Sequence, residues 1–184
     1  ETKNPLITDS AFVFTFPSDY SGNRIGYCQV DLDDIDALGL GKPIQLPGEV
    51  LSQLDSVDDF SRQQRLNPLV MGLDHMATRV LAGEREDAIL EFLTMSNYYF
   101  WGAYNIADMN SSTNVNRNSN VEDDKQSPAK VFTANNTPSF VNSFDDLPMP
   151  TEDFVRNFGR RMHHLAYEVC DGDHKAGEKN VDYV

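Results

Sequence analysis

Apolar and polar positions alternate in short blocks along this chain. Residues 12–16, Phe-Val-Phe-Thr-Phe, predict a strand closed by Pro17-Ser18-Asp19, and 24–32 predict a weaker one. Residues 33–68 hold Gly39, Gly41, Pro43, Pro47-Gly48 and Pro68 without a sustained apolar period. That is the pattern of a connector, with room for a short helix near 49–64. Residues 72–80 have strand composition. Over 84–101, Ala88, Ile89, Phe92, Leu93 and Ser96 recur at helical spacing, and Glu84, Glu86 and Asp87 fill the first turn, where the helix dipole favours acids. This helix is expected to run into Tyr98-Tyr99-Phe100-Trp101 and stop near Gly102; such an aromatic cluster is more often core than pocket lining. Residues 103–116 predict one strand turning into another, 117–129 a polar loop, 130–134 a strand, and 135–150 an Asn-, Pro- and Asp-rich loop. Thr151 is placed to cap a short helix through Phe158, which Gly159 ends. Residues 161–169 return to strand composition, and 176–184 read as the start of a helix.

Composition narrows the function classes. At 184 residues the chain has room for one domain or slightly more. Lys and Arg total 15 against 29 Asp and Glu, a formal net charge of −14. So acidic a chain has no field to draw in phosphates, which argues against nucleic acid and against an anionic membrane surface. No apolar run approaches the roughly 20 residues of a membrane helix. The chain opens with Glu1 and shows no secretion signal, so it is expected to be processed or part of something longer. Two cysteines, Cys28 and Cys170, are too few for a disulfide framework, and a reducing, cytoplasmic setting is the default expectation. The triplets Asn110-Ser111-Ser112 and Asn135-Asn136-Thr137 have the glycosylation pattern, which arises often by chance.

An internal echo points to candidate chemistry. Asp74-His75-Met76-Ala77-Thr78-Arg79-Val80 aligns with His163-His164-Leu165-Ala166-Tyr167-Glu168-Val169 at an offset of 89, matching at His, Ala and Val. Each segment follows a Gly. Strand alternation puts His75, Ala77 and Arg79 on one side, and His164, Ala166 and Glu168 on one side of the second strand. If the two strands are equivalent in a pseudo-symmetric sheet, His75 and His164 face one interior, the beginning of a metal site with a small Ala beside each imidazole. The plainer alternative is a pair of half-buried histidines with backbone partners. His163 falls on the opposite side and reads as structural or exposed; His174, in Asp-Gly-Asp-His, reads as solvated.

Leu73-Asp74-His75-Met76-Ala77, the helix after it, and Met162-His163-His164-Leu165-Ala166-Tyr167-Glu168-Val169 resemble the vicinal oxygen chelate superfamily. Within it they are most similar to the C-terminal half of the 4-hydroxyphenylpyruvate dioxygenase-like proteins, over about residues 44–184. The resemblance implies an α+β fold of paired βαβββ modules forming a cup-shaped, partly open mixed sheet, incomplete in this chain. Residues 1–43 would be remnant strands of a preceding module, 44–70 a linker, 71–160 the first βαβββ module, and 161–184 the start of a second. It also implies Fe(II), or another divalent metal, held by His75 and His164. The family's third ligand, a Glu on a later strand, is not found; Glu168 shares the His164 side but does not match that position.

Ser112 and Asn135 match positions where the family binds substrate, although turn and edge-strand roles explain them equally well. An inward Arg79 would bind a carboxylate substrate through its planar fork or pair with Glu168. The implied reaction is oxidative decarboxylation and hydroxylation of a 2-oxo acid with O2. A half-finished sheet edge would be covered by more chain or by a partner, as in a homo-oligomer. The same cup serves epimerases, lyases and ring-cleaving dioxygenases, and also non-catalytic small-molecule binding modules, so fold alone does not select among them. The polar run Asn110-Ser111-Ser112-Thr113-Asn114 departs from the family's more apolar substrate strand.

Overall fold

The computed structural model describes residues 7–8, 12–28, 44–120, 128–138, 148–175 and 177–184. In chain order the elements are β1 (Ile7–Thr8), β2 (Phe12–Phe14), β3 (Gly26–Cys28), α1 (Gly48–Gln63), β4 (Val70–Arg79), α2 (Arg85–Thr94) and β5 (Tyr98–Ile106). There follow β6 (Ser111–Asn118), β7 (Ala129–Asn135), α3 (Pro150–Phe158), β8 (Arg161–Val169), β9 (Asp173–Lys175), β10 (Glu178–Lys179) and α4 (Asn180–Tyr183). The chain divides into two compact units, residues 1–39 with 74–166, and residues 40–73 with 167–184.

The first unit is built on an open, mixed five-stranded sheet of order β5-β6-β7-β4-β8. β5 pairs antiparallel with β6, and β6 with β7. β7 then runs parallel to β4, with His75 opposite Ala129 and Arg79 opposite Thr133. A parallel pair needs a long crossover, and α2 with the β5–β6 hairpin supplies it.

Strand alternation gives the sheet two faces. Val80, just after β4, Phe132 and Ala134 of β7, and Ala88 and Ile89 of α2 form one buried cluster. Phe92 packs its ring edgewise on Phe132, with centroids 5.9 Å apart. Burying a side chain such as Phe132 or Val80 contributes about 1.5–3 kcal/mol, so this cluster fixes α2 on the sheet. The opposite face carries Ala77, Val115, Ala129 and Val131 as a second buried cluster. Beside the sheet, β2 pairs antiparallel with β1 and β3. Ser18 Oγ accepts the backbone N–H of Tyr20 and Ser21 at 3.2 and 3.0 Å, and so holds the turn that follows β2. Gly22 closes that turn at φ +69°, and a Cβ there would stand 2.3 Å from the Arg160 carbonyl oxygen. Gly159, at φ +79°, ends α3 where the sequence placed the stop.

Three expectations need correction. The aromatic run at 98–101 is not the exit of a helix. The N–H of Met95 bonds back to Glu91 and Phe92, α2 stops at Thr94, and Tyr98 onward pairs with β6, where aromatic side chains suit a pleated surface. Nor is the run core, since Tyr99, Phe100 and Trp101 are about half exposed. At the C-terminus β10 and the four-residue α4 stand where a longer helix was expected. The expected short helix near 49–64 is α1, sixteen residues long. Of the weaker strand at 24–32, the described part pairs as β3, and 29–32 lie outside the described residues.

In the second unit, Tyr183 Oη donates to the Gln64 carbonyl at 3.0 Å and the Cys170 N–H to Leu69 at 2.9 Å. Asn180 Nδ2 donates to the Cys170 carbonyl at 3.1 Å. α1 buries none of its residues within the structure; Leu54, Val57 and Phe60 stay exposed. Among the described residues no helix is long and apolar enough to cross a membrane.

Candidate metal centre

His75 on β4 and His164 on β8 turn their rings toward each other, Nε2 to Nε2 at 2.9 Å, with ring planes 76° apart. The far side of each ring is held as well. His75 Nδ1 lies 2.6 Å from Asp74 Oδ2, and His164 Nδ1 lies 2.9 Å from His163 Nδ1. His163 is braced in turn by an edgewise contact with Phe154 of α3, centroids 5.7 Å apart.

Proton counting makes this arrangement informative. A carboxylate only accepts, so the proton of a neutral His75 sits on Nδ1 and its Nε2 carries a bare lone pair. Burial, then the charges of Arg79 and His164, and further those of Lys130 and His75, push His163 down to about 4, so its ring is neutral at neutral pH. His164 is also lowered, by burial first and then by His75 and Arg79. When His164 donates its Nδ1–H to His163, its Nε2 is bare too. Two lone pairs 2.9 Å apart then repel unless one proton or one cation lies between them. Without a cation the proton sits on His164 Nε2 and His163 donates through Nδ1 in the opposite sense.

The distance itself suits a cation. Two nitrogens each about 2.1 Å from one ion and about 90° apart stand about 3.0 Å from each other. A carboxylate behind a ligating imidazole is the common second partner that fixes its tautomer and orientation, and Asp74 occupies that place. The spacing is that of two neighbouring ligands of a divalent ion, and equally that of an ordinary N–H···N hydrogen bond between the rings. Among the described residues no group of three His, Cys, Asp or Glu is arranged to hold a metal.

A cavity of about 260 Å³ opens beside His75, lined by Asp74, Trp101, Tyr104, Thr113 and Arg117 among others. Trp101 lies at the register shift in the β5–β6 ladder, between Phe100 and Gly102, and a bulge of this kind re-aims a side chain. The Arg117 guanidinium lies 5.2 Å from the Trp101 ring centroid. The sequence reading took Trp101 for core rather than pocket lining and did not single out Tyr104 or Arg117 for the site. The alternation Thr113, Val115, Arg117 and the Gly after Trp101 were the signals available.

The other candidates are placed differently. Ser112 pairs with Ala134 in the ladder, which turns it to the α2 face, where it accepts a hydrogen bond from Arg85. The structure therefore does not bring it to the histidines. Asn135 shares a strand parity with Ala129 and Val131, yet its amide is fully committed. Nδ2 donates to the Asn110 carbonyl at 2.9 Å, and Oδ1 accepts the Glu152 N–H at 2.8 Å, so it caps α3 from outside. Arg79 stacks on Phe154, 4.7 Å from the ring centroid, and donates Nη1 to the Pro150 carbonyl at 3.3 Å. Its Nε is buried without a hydrogen-bond partner among the described residues, and its charge is felt by both His163 and His164. The side chain of His174 lies outside the described residues.

Comparison of the chain with protein-family models, with curated proteins and with solved structures finds no match.

Proposed function

We propose that His75 and His164 hold one divalent metal ion, Fe(II) by preference, and that the chain belongs to a non-haem dioxygenase-like protein acting on a 2-oxo acid. The observation that carries this reading is the convergence of two Nε2 atoms at 2.9 Å, each imidazole oriented through its Nδ1. The order β4-α2-β5-β6-β7, with β7 returning parallel beside β4, supports a βαβββ module with β8 opening a second one. When bound, Fe(II) would supply a place for the keto acid and O2 and a redox-active centre, the electrons taken up by O2 coming from the decarboxylated keto acid and the carbon that is hydroxylated. The chain's own residues bind and orient. Asp74 keeps the His75 proton on Nδ1, and His163 does the corresponding work behind His164. Arg79, its Nε unsatisfied, offers a cation to the carboxylate of a small acid. Trp101 and Tyr104, each about half exposed, give the cavity beside His75 aromatic walls.

The test is iron content and gas stoichiometry. One iron per chain in the parent protein and none in His75→Ala or His164→Ala, with unchanged circular dichroism, is the expected result; equal iron in all three refutes the site. O2 uptake matched by CO2 release from a 2-oxo acid separates this chemistry from the alternatives. A ring-cleaving enzyme takes up O2 without releasing CO2, an epimerase or lyase consumes no O2, and a binding module turns nothing over.

A further inference from the structure

The other face of the sheet holds a second, larger cavity, of about 500 Å³, between α2, the strands β4 and β7, and the Ser18–Gly26 segment. Its walls are mostly apolar: Met76, Phe92, Met95, Phe132 and Met162. Methionines are adaptable linings that repack around ligands of differing shape. Into this apolar setting the chain places Lys130, only 6 % exposed.

Lys130 has no carboxylate partner among the described residues. Its ammonium donates to Thr78 Oγ1 at 2.5 Å and lies 5.0 Å from the Phe132 ring centroid. Thr78, itself fully buried, also accepts the Asn23 amide at 2.9 Å. One hydroxyl already shared with Asn23 does not satisfy three N–H donors. A buried cation in this condition is costly, and a compensating anion relieves the cost. Glu91, the only carboxylate lining the cavity among the described residues, accepts a hydrogen bond from the Ser18 hydroxyl instead.

We propose that this cavity binds a small apolar monocarboxylic acid, its carboxylate paired with Lys130 and its hydrocarbon part against the methionines and Phe92. The volume lies in the range of ligand pockets, about 300–1,000 Å³. Glu91 and Arg24 also line the cavity, but Lys130 is the buried cation among the three. This site stands on the face opposite the histidines and does not depend on a metal.

The experiment is calorimetric titration of the full chain with octanoate and with octanamide, which has the same length and no charge. The expected result is one octanoate per chain, bound at least tenfold more tightly than octanamide. Lys130→Met should lose that preference by weakening octanoate binding alone. No octanoate binding to the parent chain, equal affinity for acid and amide, or unchanged octanoate affinity in Lys130→Met would each overturn the proposal. Should the variant not fold, the acid–amide comparison on the parent chain decides alone.

Discussion

Asp74→Asn is the most informative single change at the candidate centre. It keeps size and shape and removes only the negative charge behind His75. The contact is short, 2.6 Å from Nδ1 to Oδ2, as hydrogen bonds to an ionised carboxylate tend to be. Loss of such a partner typically costs about 10–100-fold in metal affinity, or about 1.4–2.7 kcal/mol. The Asp74 side chain is 44 % exposed and that of His75 29 %, so water screens part of the effect, and the lower end of the range is expected. For the same reason folding should lose no more than about 1 kcal/mol. The assay is a competition titration with Zn(II) or Co(II) against a chromogenic chelator, alongside a thermal melt. A metal affinity within twofold of the parent, in a protein that still requires His75, would refute the orienting role given to Asp74.

Three further outcomes follow from the packing. Asn135→Ala strands the buried Glu152 N–H, at a cost of about 1–3 kcal/mol, while the Asn110 carbonyl keeps the Asn136 N–H; the loss should show in chemical denaturation as a lower midpoint at unchanged slope. Gly22→Ala must move the chain away from the Arg160 carbonyl and strain a positive φ; a loss of about 1–3 kcal/mol is expected in a thermal melt, and a neutral result would contradict the close approach. Lys130 is lowered by burial to about 8, below its unfolded value near 10.4, so the unfolded chain binds the extra proton between those two pH values. Stability should therefore rise with pH across that window by up to about 3 kcal/mol relative to Lys130→Met, and equal pH slopes in the two proteins would contradict the burial.

The legible parts of this fold were those where local pattern and tertiary placement agree. The strands around His75 and His164 and the stop at Gly159 follow from short runs whose neighbours reinforce them. The echo between the two His segments put both imidazoles on one interior, and the 2.9 Å contact shows them together. The helix beginning near residue 84 was legible at its start, but its end was not. Ala88, Ile89, Phe92 and Leu93 set a helical period, and nothing local says that Tyr98 will leave it to pair with Asn118 across the β5–β6 ladder. Ser112 and Asn135 show the limit for side chains. A single step of strand parity decides which face Ser112 joins, and Arg85 and Ala134 settle it from elsewhere in the chain. The part played by Asn135 depends on α3 arriving over β7, which no nearby residue announces. Strand alternation puts His163 on the side opposite His164, yet the two rings meet, Nδ1 to Nδ1 at 2.9 Å.

The central claim is that His75 and His164 present bare Nε2 atoms to one cation. Long-range proton–nitrogen NMR of the imidazoles during titration with Zn(II) reads those atoms directly. The account predicts that both Nε2 signals move together to metal-bound values and saturate at one Zn(II) per chain, while His75 keeps its proton on Nδ1. Nε2 signals that stay unchanged through excess Zn(II), with the pair titrating as an ordinary hydrogen-bonded imidazole–imidazolium, would contradict it.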